Sequence, residues 1–215
     1  MQNFTPFPKI PRLSRECIIT EKLDGTNASV VIQATPLTVF KDDGPLIAET
    51  NGLFIYAGSR NRWITPVDDN YGFAKWVKAN ADELSTLGPG QHFGEWWGQG
   101  IQRGYNLKDK RFSLFNVTRW CLHGQTPAVL SEPNPKQAHA KLQGILPPCV
   151  GLVPLLYCGM FDTTYIGSAL AHLTLTGSKA SPGFMKPEGI IVYHVAGNYL
   201  FKKTIEGDDH AKSIA

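Results

Sequence analysis

The feature that most constrains the fold is a series of short segments rich in β-branched and aromatic residues, each bounded by Gly, Pro, Asn or Asp. Such segments are typical of β-strands. Helical patterns are fewer, with apolar residues at helical spacing over 71–87 and weaker signals at 135–146 and between 167 and 177. Because strands outnumber helices and do not alternate with them, the sequence predicts an α+β fold with antiparallel sheets and flanking helices. The strand segments are residues 17–23, 28–34, 38–40, 53–58, 92–97, 112–117, 189–195 and 199–204.

Length and composition restrict the class of protein only loosely. A chain of 215 residues suits one domain, 1–215, and a net charge of +3 is compatible with nucleic acid without arguing for it. The four cysteines lack C-x-x-C spacing, which favours free thiols in a reducing cytosol over zinc ligands or disulfides. The N-terminus has no signal-peptide pattern, and no run approaches the roughly 20 apolar residues of a membrane span. We therefore expect a cytoplasmic protein without membrane contact.

The sequence EKLDGTN, residues 21–27, follows the first strand segment. Asp24-Gly25 is a strong hairpin signal, so we expect the second strand to return beside the first. Taken alone, Lys22 is a solvated lysine beside a hairpin, because Lys-x-Asp-Gly also arises by chance. A lysine at the end of a rigid strand becomes a nucleophile when burial or a neighbouring cation lowers its pKa from about 10.4. Its attack on the α-phosphorus of ATP would form a phosphoramide and release pyrophosphate.

Several other charged residues lie inside or beside strongly apolar segments, where an unpaired charge is costly to bury. Two interpretations are open. Glu95 and Glu188 form structural ion pairs with Arg60 and Lys202, or the charges bind a ligand. The residues concerned are Arg60, Glu95, Glu188, Lys202 and Lys203.

These segments, together with an aromatic strand around Phe115, occur in a fixed order from Lys22 to Lys203. Phe115 alone is either plain core or a stacking platform. In this order the segments resemble motifs I, Ia, III, IIIa, IV and V of the covalent nucleotidyltransferase superfamily of DNA ligases, RNA ligases and mRNA capping enzymes. The Thr-Asn pair after Gly25 is most similar to the RNA-ligase branch that includes phage double-strand-joining and RNA-editing ligases. The resemblance implies an ATP-grasp-like ligase adenylation domain and an ATP-dependent RNA ligase.

The resemblance also implies a role for each matching residue. Lys22 would be the nucleophile, while Lys202, assisted by Lys203, would neutralise the triphosphate of ATP. Phe115 would stack on the adenine, a contact of roughly 1–3 kcal/mol, and Glu188 would hold a catalytic Mg²⁺ or Mn²⁺. The other implied cofactor contacts are made by Glu21, Asn27, Arg60 (to phosphate) and Glu95 (to the ribose hydroxyls).

Two features depart from the family pattern. Asn116 follows Phe115 where Asp is common, and Lys202 and Lys203 are adjacent where one residue commonly separates two lysines. Adjacent side chains on a strand face opposite sides, so only one lysine can readily point into the pocket. We favour Lys202, with Leu200 at the position of the missing first lysine.

We expect a stand-alone adenylyltransferase domain. Residues 205–215 are too short for an OB-fold or a helical C-terminal domain, and residues 1–21 are too short for the N-terminal module of an NAD-dependent ligase, so ATP is the expected cofactor. RNA ends, or a nicked duplex, would be held by basic residues, with the run from Arg103 to Arg111 as the best candidate. Two other functions remain open: a minimal DNA nick ligase, and a nucleic-acid-end-binding protein that has lost turnover. The altered motif V allows the second of these, but the retained Lys22, Glu95 and Glu188 argue against it.

Overall fold

The computed structural model describes residues 6–37, 45–115 and 135–206. The helices in these residues are α1 (Phe73–Ala79), α2 (Ala81–Ser85), α3 (Pro135–Ile145) and α4 (Thr163–Thr176), with a 3₁₀ turn at Gly104–Asn106. The strands are β1 (Glu16–Lys22), β2 (Thr26–Gln33), β3 (Leu46–Thr50), β4 (Leu53–Ser59), β5 (Trp63–Ile64), β6 (Gly90–Gly98), β7 (Lys110–Leu114), β8 (Val150–Leu152), β9 (Leu155–Met160), β10 (Gly189–His194) and β11 (Tyr199–Thr204).

The strands form two sheets. The four-stranded sheet has the order β11-β10-β1-β9, and the seven-stranded sheet has the order β3-β4-β2-β6-β7-β8, with β5 paired to β4. All pairs are antiparallel except β7 with β8. The predicted α+β class with antiparallel sheets is therefore confirmed.

The consecutive strands β1 and β2 lie in different sheets, so the hairpin expected at Asp24-Gly25 is wrong. Strand β1 pairs with β9 and β10, whereas β2 pairs with β4 and β6. The chain passes between the sheets through residues 23–25, which we call the crossover. A Cβ on Gly25 would lie 2.4 Å from the carbonyl oxygen of Trp96 and 2.7 Å from Cβ of Trp97. Glycine is needed here for close approach to β6 rather than for a hairpin turn.

Each sheet buries one face under helices. In the seven-stranded sheet, Val30 and Ile32 of β2 point to the face covered by α1, where Phe73 and Val77 are fully buried with them. The alternation of side chains along a strand turns Asn27 and its neighbours two residues apart to the opposite face. That second face is free of α1 and belongs to the candidate site.

The four-stranded sheet follows the same plan. Cys17 and Ile19 of β1 are buried against Leu173 of α4, together with Ile190 of β10. Alternation therefore turns Lys22 to the face away from α4. A third cluster joins the crossover to β6 and to the segment before β10, and its buried members are Leu23, Trp97, Tyr105, Val153 and Phe184.

The predicted elements were correct in type but less accurate in extent. The helix expected over 71–87 is divided into α1 and α2 at Asn80, whose φ of −113° and ψ of 20° leave the helical region. Helix α4 begins earlier than expected, at Thr163, where the Asp162 carboxylate accepts a hydrogen bond from the Thr164 N–H at 2.8 Å. Residues 38–40, 116 and 117 lie outside the described residues.

Four strands were not predicted: β3, β5, β8 and β9. Two of them span only two or three residues, and β9 is half-buried along its length without alternation. Strand β11 was expected to be buried, but it is an edge strand whose residues from Tyr199 to Lys203 are all exposed. Cys17, Cys149 and Cys158 are free thiols, and Cys121 lies outside the described residues. Among the described residues, no helix is both long and apolar enough to cross a membrane.

Candidate active site

Lys22 and Glu188 form an ion pair at adjoining ends of two neighbouring strands. Lys22 is the last residue of β1 and lies opposite Gly189, the first residue of β10, so Glu188 enters the sheet beside it. Only 22% of the lysine side chain and 15% of the glutamate side chain are exposed. The pair is thus formed by two of the residues that the sequence assigned to one site, although they are 166 positions apart.

Glu95 lies in the middle of β6, on the face of the seven-stranded sheet that α1 leaves free. It is 9% exposed, and its Oε1 accepts a hydrogen bond from the Gly25 N–H at 3.0 Å. Burial, aided by the nearby charges of Glu188 and Asp24, raises the pKa of the Glu95 carboxyl to about 7, and the charge of Lys22 and the Gly25 hydrogen bond oppose this rise. Glu95 therefore lies within electrostatic reach of the Lys22–Glu188 pair.

The crossover is held by residues that follow β6. The Asp24 N–H donates to the Tyr105 hydroxyl at 2.8 Å, and Arg103 Nε lies 2.9 Å from Asp24 Oδ2. Arg103 also donates through Nη1 to the Lys186 carbonyl oxygen at 3.0 Å. The sequence had placed Arg103 in a run of RNA-phosphate contacts, but its guanidinium is engaged within the protein. Tyr105 was missed, because nothing in the motif pattern distinguishes it from other buried aromatic residues.

The Glu21 side chain is turned away from Lys22. It is 1% exposed and accepts hydrogen bonds from Ser178 Oγ at 2.5 Å, from the Lys179 N–H at 2.8 Å and from the Ala180 N–H at 3.0 Å. Burial raises the pKa of its carboxyl, and these hydrogen bonds lower it in part. Both carboxylate oxygens are thus occupied by the loop 178–180, so the side chain lies apart from the groups that surround Lys22.

The remaining residues assigned to the nucleotide are distributed over the seven-stranded sheet. Asn27 lies directly opposite Glu95, and Ser113 lies opposite Glu95 on the other side. Phe115 continues the Ser113 face of β7, is half-buried and packs against the third cluster. Arg60 is exposed just after β4. Asn27, Glu95 and Phe115 therefore share one face, and Arg60 lies near its edge.

The register of β11 separates the two motif V lysines. Lys202 lies opposite Ile191, which lies opposite Thr20 on β1. Residues in register share a face, so Lys202 is on the same face as Thr20 and Lys22. Lys203 lies opposite Ile190 and is on the other face. Both lysines are exposed, and Asn116 lies outside the described residues.

The acidic residues at this site fit a metal ion that also takes phosphate oxygens. Among the described residues, no group of three or more His, Cys, Asp or Glu side chains is arranged to hold a metal by itself. Magnesium commonly takes one or two protein carboxylates and completes its shell with phosphates and water. Glu188, a partly exposed carboxylate at the strand end, fits a metal ion held in this way.

The site thus holds a partly buried amine in an ion pair with Glu188, within electrostatic reach of the buried Glu95. Because carboxylates favour the charged ammonium, the amine can act as a nucleophile only after it leaves this pair and loses its proton. The family model described as RNA ligase matches residues 15–212, which is most of the chain. This chain belongs to the RNA ligase family.

Solved structures of an RNA ligase from Naegleria gruberi have a similar fold. Variants of that enzyme superpose with TM-scores of 0.52 without ligand, 0.51 with ATP and manganese, and 0.52 with AMP and manganese. Sequence identity is 19–20%, and the match covers 89% of this chain and 50% of each of those chains. The chain thus spans about half the length of the structures it matches.

Proposed function

We propose that this chain is an ATP-dependent RNA ligase that joins a 5′-phosphate end to a 3′-hydroxyl end. The observation that carries the proposal is the position of the Lys22 amine, which is largely buried at a strand end, paired with Glu188 and within electrostatic reach of Glu95. Membership of the RNA ligase family and the ATP and AMP complexes of the Naegleria enzyme support it. A cytoplasmic location stays a prediction.

The reaction has three steps. Lys22 leaves its ion pair with Glu188, loses a proton and attacks the α-phosphorus of ATP; an N–P bond forms and pyrophosphate departs. A 5′-phosphate oxygen of RNA then attacks the same phosphorus, which breaks the N–P bond and restores the lysine. Finally, the 3′-hydroxyl attacks the 5′-phosphorus of the RNA, the phosphodiester forms and AMP leaves.

The other site residues serve these steps as the family resemblance implies. Phe115 stacks on the adenine, Glu95 accepts hydrogen bonds from the ribose hydroxyls, and Asn27, beside Glu95, contributes a further polar contact. Glu188 holds Mg²⁺ or Mn²⁺, which when bound neutralises charge on the transferring phosphoryl group. Arg60 contacts phosphate from the edge of the sheet.

Two sets of basic side chains remain to be given a role in the proposed reaction. Lys202 neutralises the triphosphate, with Lys203 in a supporting role on the other face of the strand. Lys108, which is exposed, is the RNA-phosphate contact of the basic run, together with Arg111 once its exposed guanidinium leaves its ion pair with Asp109. Glu21 is left out of the ATP contacts, since its carboxylate is occupied by the loop 178–180.

The test is incubation with α-labelled ATP and magnesium, followed by denaturing electrophoresis. We expect the wild-type protein to become covalently labelled and Lys22→Ala to remain unlabelled. Lys75→Ala is the matched control, because Lys75 is an exposed lysine of α1, which covers the opposite face of the seven-stranded sheet. Equal labelling of Lys22→Ala, or no labelling of the wild type, would exclude the lysyl-adenylate and with it the proposed function.

The substrate is tested separately by end joining. RNA with 5′-phosphate and 3′-hydroxyl ends, and nicked duplexes with RNA or DNA on either side of the nick, are compared as substrates for the labelled protein. Joining of RNA ends supports the proposed substrate. Joining of the all-DNA nick alone would identify a DNA ligase instead.

A further inference from the structure

Arg103 joins the two chain segments that carry Lys22 and Glu188. Asp24, its ion-pair partner, follows Lys22 by two positions, and Lys186, whose carbonyl oxygen it contacts, precedes Glu188 by two positions. We propose that Arg103 and Tyr105 form a brace that fixes the nucleophile relative to Glu188. In this role Arg103 is a positioning residue for the attack of Lys22 on ATP. The inference rests on the proposed function and names a residue that acts in its first step.

The chemistry of arginine suits a brace. The guanidinium is planar and rigid, so its Nε and Nη1 donors have a fixed separation and direction. Nε lies 2.9 Å from the Asp24 carboxylate and Nη1 lies 3.0 Å from the Lys186 carbonyl oxygen. One rigid group thus sets the spacing of the two segments. The ion-pair side chains are 28% and 26% exposed, which limits competition from water.

Tyr105 provides a second link between the same segments. Its side chain is fully buried, and its hydroxyl accepts a hydrogen bond from the Asp24 N–H at 2.8 Å. Its carbonyl oxygen accepts a hydrogen bond from Ser181 Oγ at 2.8 Å, and its ring centre lies 4.6 Å from that of Phe184. Tyr105 therefore ties the crossover to the segment that leads to Glu188 by contacts independent of Arg103.

The backbone around the brace is strained. Gln102, Tyr105 and Asn106 have φ values of 45°, 53° and 56°, in the left-handed region that non-glycine residues rarely adopt. Such conformations persist only where the surroundings hold them in place. The contacts of Arg103 and Tyr105 are the surroundings that do so here. Because the segment is held in a conformation that its backbone disfavours, it can fix the positions of Asp24 and Lys186 instead of moving with them.

The decisive experiment separates a positioning role from contact with RNA. Single-turnover labelling with ATP requires Lys22, whereas sealing of RNA that already carries a 5′-adenylate does not, because its phosphorus is activated beforehand. For Arg103→Ala we expect labelling at saturating ATP to slow on the order of 10- to 100-fold, since a small misplacement of a reacting atom costs that much. The KM for ATP and the sealing of adenylylated RNA should stay within about threefold of wild type.

Two further variants keep the test decisive if Arg103→Ala does not fold. Arg103→Lys retains the charge beside Asp24 but has no rigid fork, so it should slow labelling by an intermediate factor. Tyr105→Phe removes the acceptor of the Asp24 N–H and should slow labelling in the same direction. Lys75→Ala serves again as the control.

The outcomes differ for each hypothesis. Slower labelling with unchanged sealing of adenylylated RNA supports the brace. A parallel fall in both reactions, or an unchanged labelling rate in all three variants, overturns it. Failure of the wild type to label refutes the proposed function itself and is therefore distinct from failure of the brace.

Discussion

The crossover, which directly follows Lys22, and the edge strand β11, which carries Lys202 and Lys203, are held in different ways. Asp24 is paired with Arg103 and bonded to Tyr105, and Gly25 lies against the backbone of β6 and donates to Glu95. In β11, by contrast, every residue from Tyr199 to Lys203 is exposed. One region is fixed by tertiary contacts, while the other is fixed mainly by its pairing with β10.

This difference indicates how the two regions meet a nucleotide. Groups beside the crossover are in position before ATP binds, so their contribution to the transition state requires little reorganisation. In the role proposed for it, a long, exposed lysine such as Lys202 would have to give up rotamer freedom to contact the triphosphate. Changes at the crossover should therefore affect both folding and chemistry, whereas changes in β11 should affect chemistry alone.

Gly25→Ala, in the crossover, is the substitution that we expect to have the largest effect on both folding and chemistry. The added Cβ would meet the Trp96 carbonyl oxygen at 2.4 Å, and a backbone atom cannot move aside as a flexible side chain does. We expect a loss of about 3 kcal/mol in the free energy of unfolding, measured by urea denaturation, together with loss of labelling by ATP.

The matched control is Gly167→Ala. Gly167 lies inside α4 with nothing within 4 Å of a Cβ placed there, so alanine should stabilise the helix by about 0.5–1 kcal/mol. A Gly25→Ala variant as stable and active as wild type would show that the crossover is more adaptable than its contacts suggest.

The pH dependence of stability tests whether the buried groups beside the crossover contribute to folding, unlike the exposed residues of β11. Burial raises the pKa of Glu95 from 4.5 to about 7, so between these values the folded protein binds more protons than the unfolded chain. Stability from the protonated carboxyl is then complete below about pH 4.5 and lost as the pH rises through about 7. The Glu95→Gln variant keeps an acceptor for the Gly25 N–H but cannot ionise. Between pH 5 and pH 8 we expect its free energy of unfolding to fall by about 2 kcal/mol less than that of the wild type.

The measurement is urea denaturation at both pH values for wild type, Glu95→Gln and Glu49→Gln. Glu49 is exposed on β3, so its variant should keep the decline of the wild type. Because Glu21 also has a raised pKa, only the difference between wild type and Glu95→Gln isolates Glu95. Equal declines in these two proteins would mean that Glu95 ionises at an ordinary pH.

The sequence was sufficient to predict the site residues that lie in ordered motifs beside apolar strands. The family resemblance assigned Lys22, Glu188 and Glu95 to one site, whereas the cost of burying charge alone left structural ion pairs open as well. Arg103 and Glu21 have side-chain partners within the protein that the sequence did not predict. These partners lie 79 and 157 positions away, so only the folded chain brings them together.

The fold shows the same limit at the crossover. Asp24-Gly25 has the local signature of a hairpin, and local signals correctly gave a strand on each side of it. Which sheet the second strand joins depends on β6, whose backbone passes so close to Gly25 that only glycine fits. A glycine that is required by close contact with a distant strand thus looks the same in the sequence as a glycine that is required by a hairpin turn. Sequence alone cannot distinguish these two causes.

The smallest expected effect distinguishes the two adjacent lysines of β11. By register Lys202 shares the face of Lys22, whereas Lys203 shares the face of Ile190. We expect Lys202→Ala to slow ATP labelling about tenfold, the loss of one cation at a partly solvated triphosphate, and Lys203→Ala to slow it less than about threefold. Both should unfold at the wild-type urea concentration, since both residues are exposed. A larger effect of Lys203→Ala would mean that β11 shifts its register or twists when ATP binds, and that the edge strand, unlike the crossover, reaches its active arrangement only with the nucleotide.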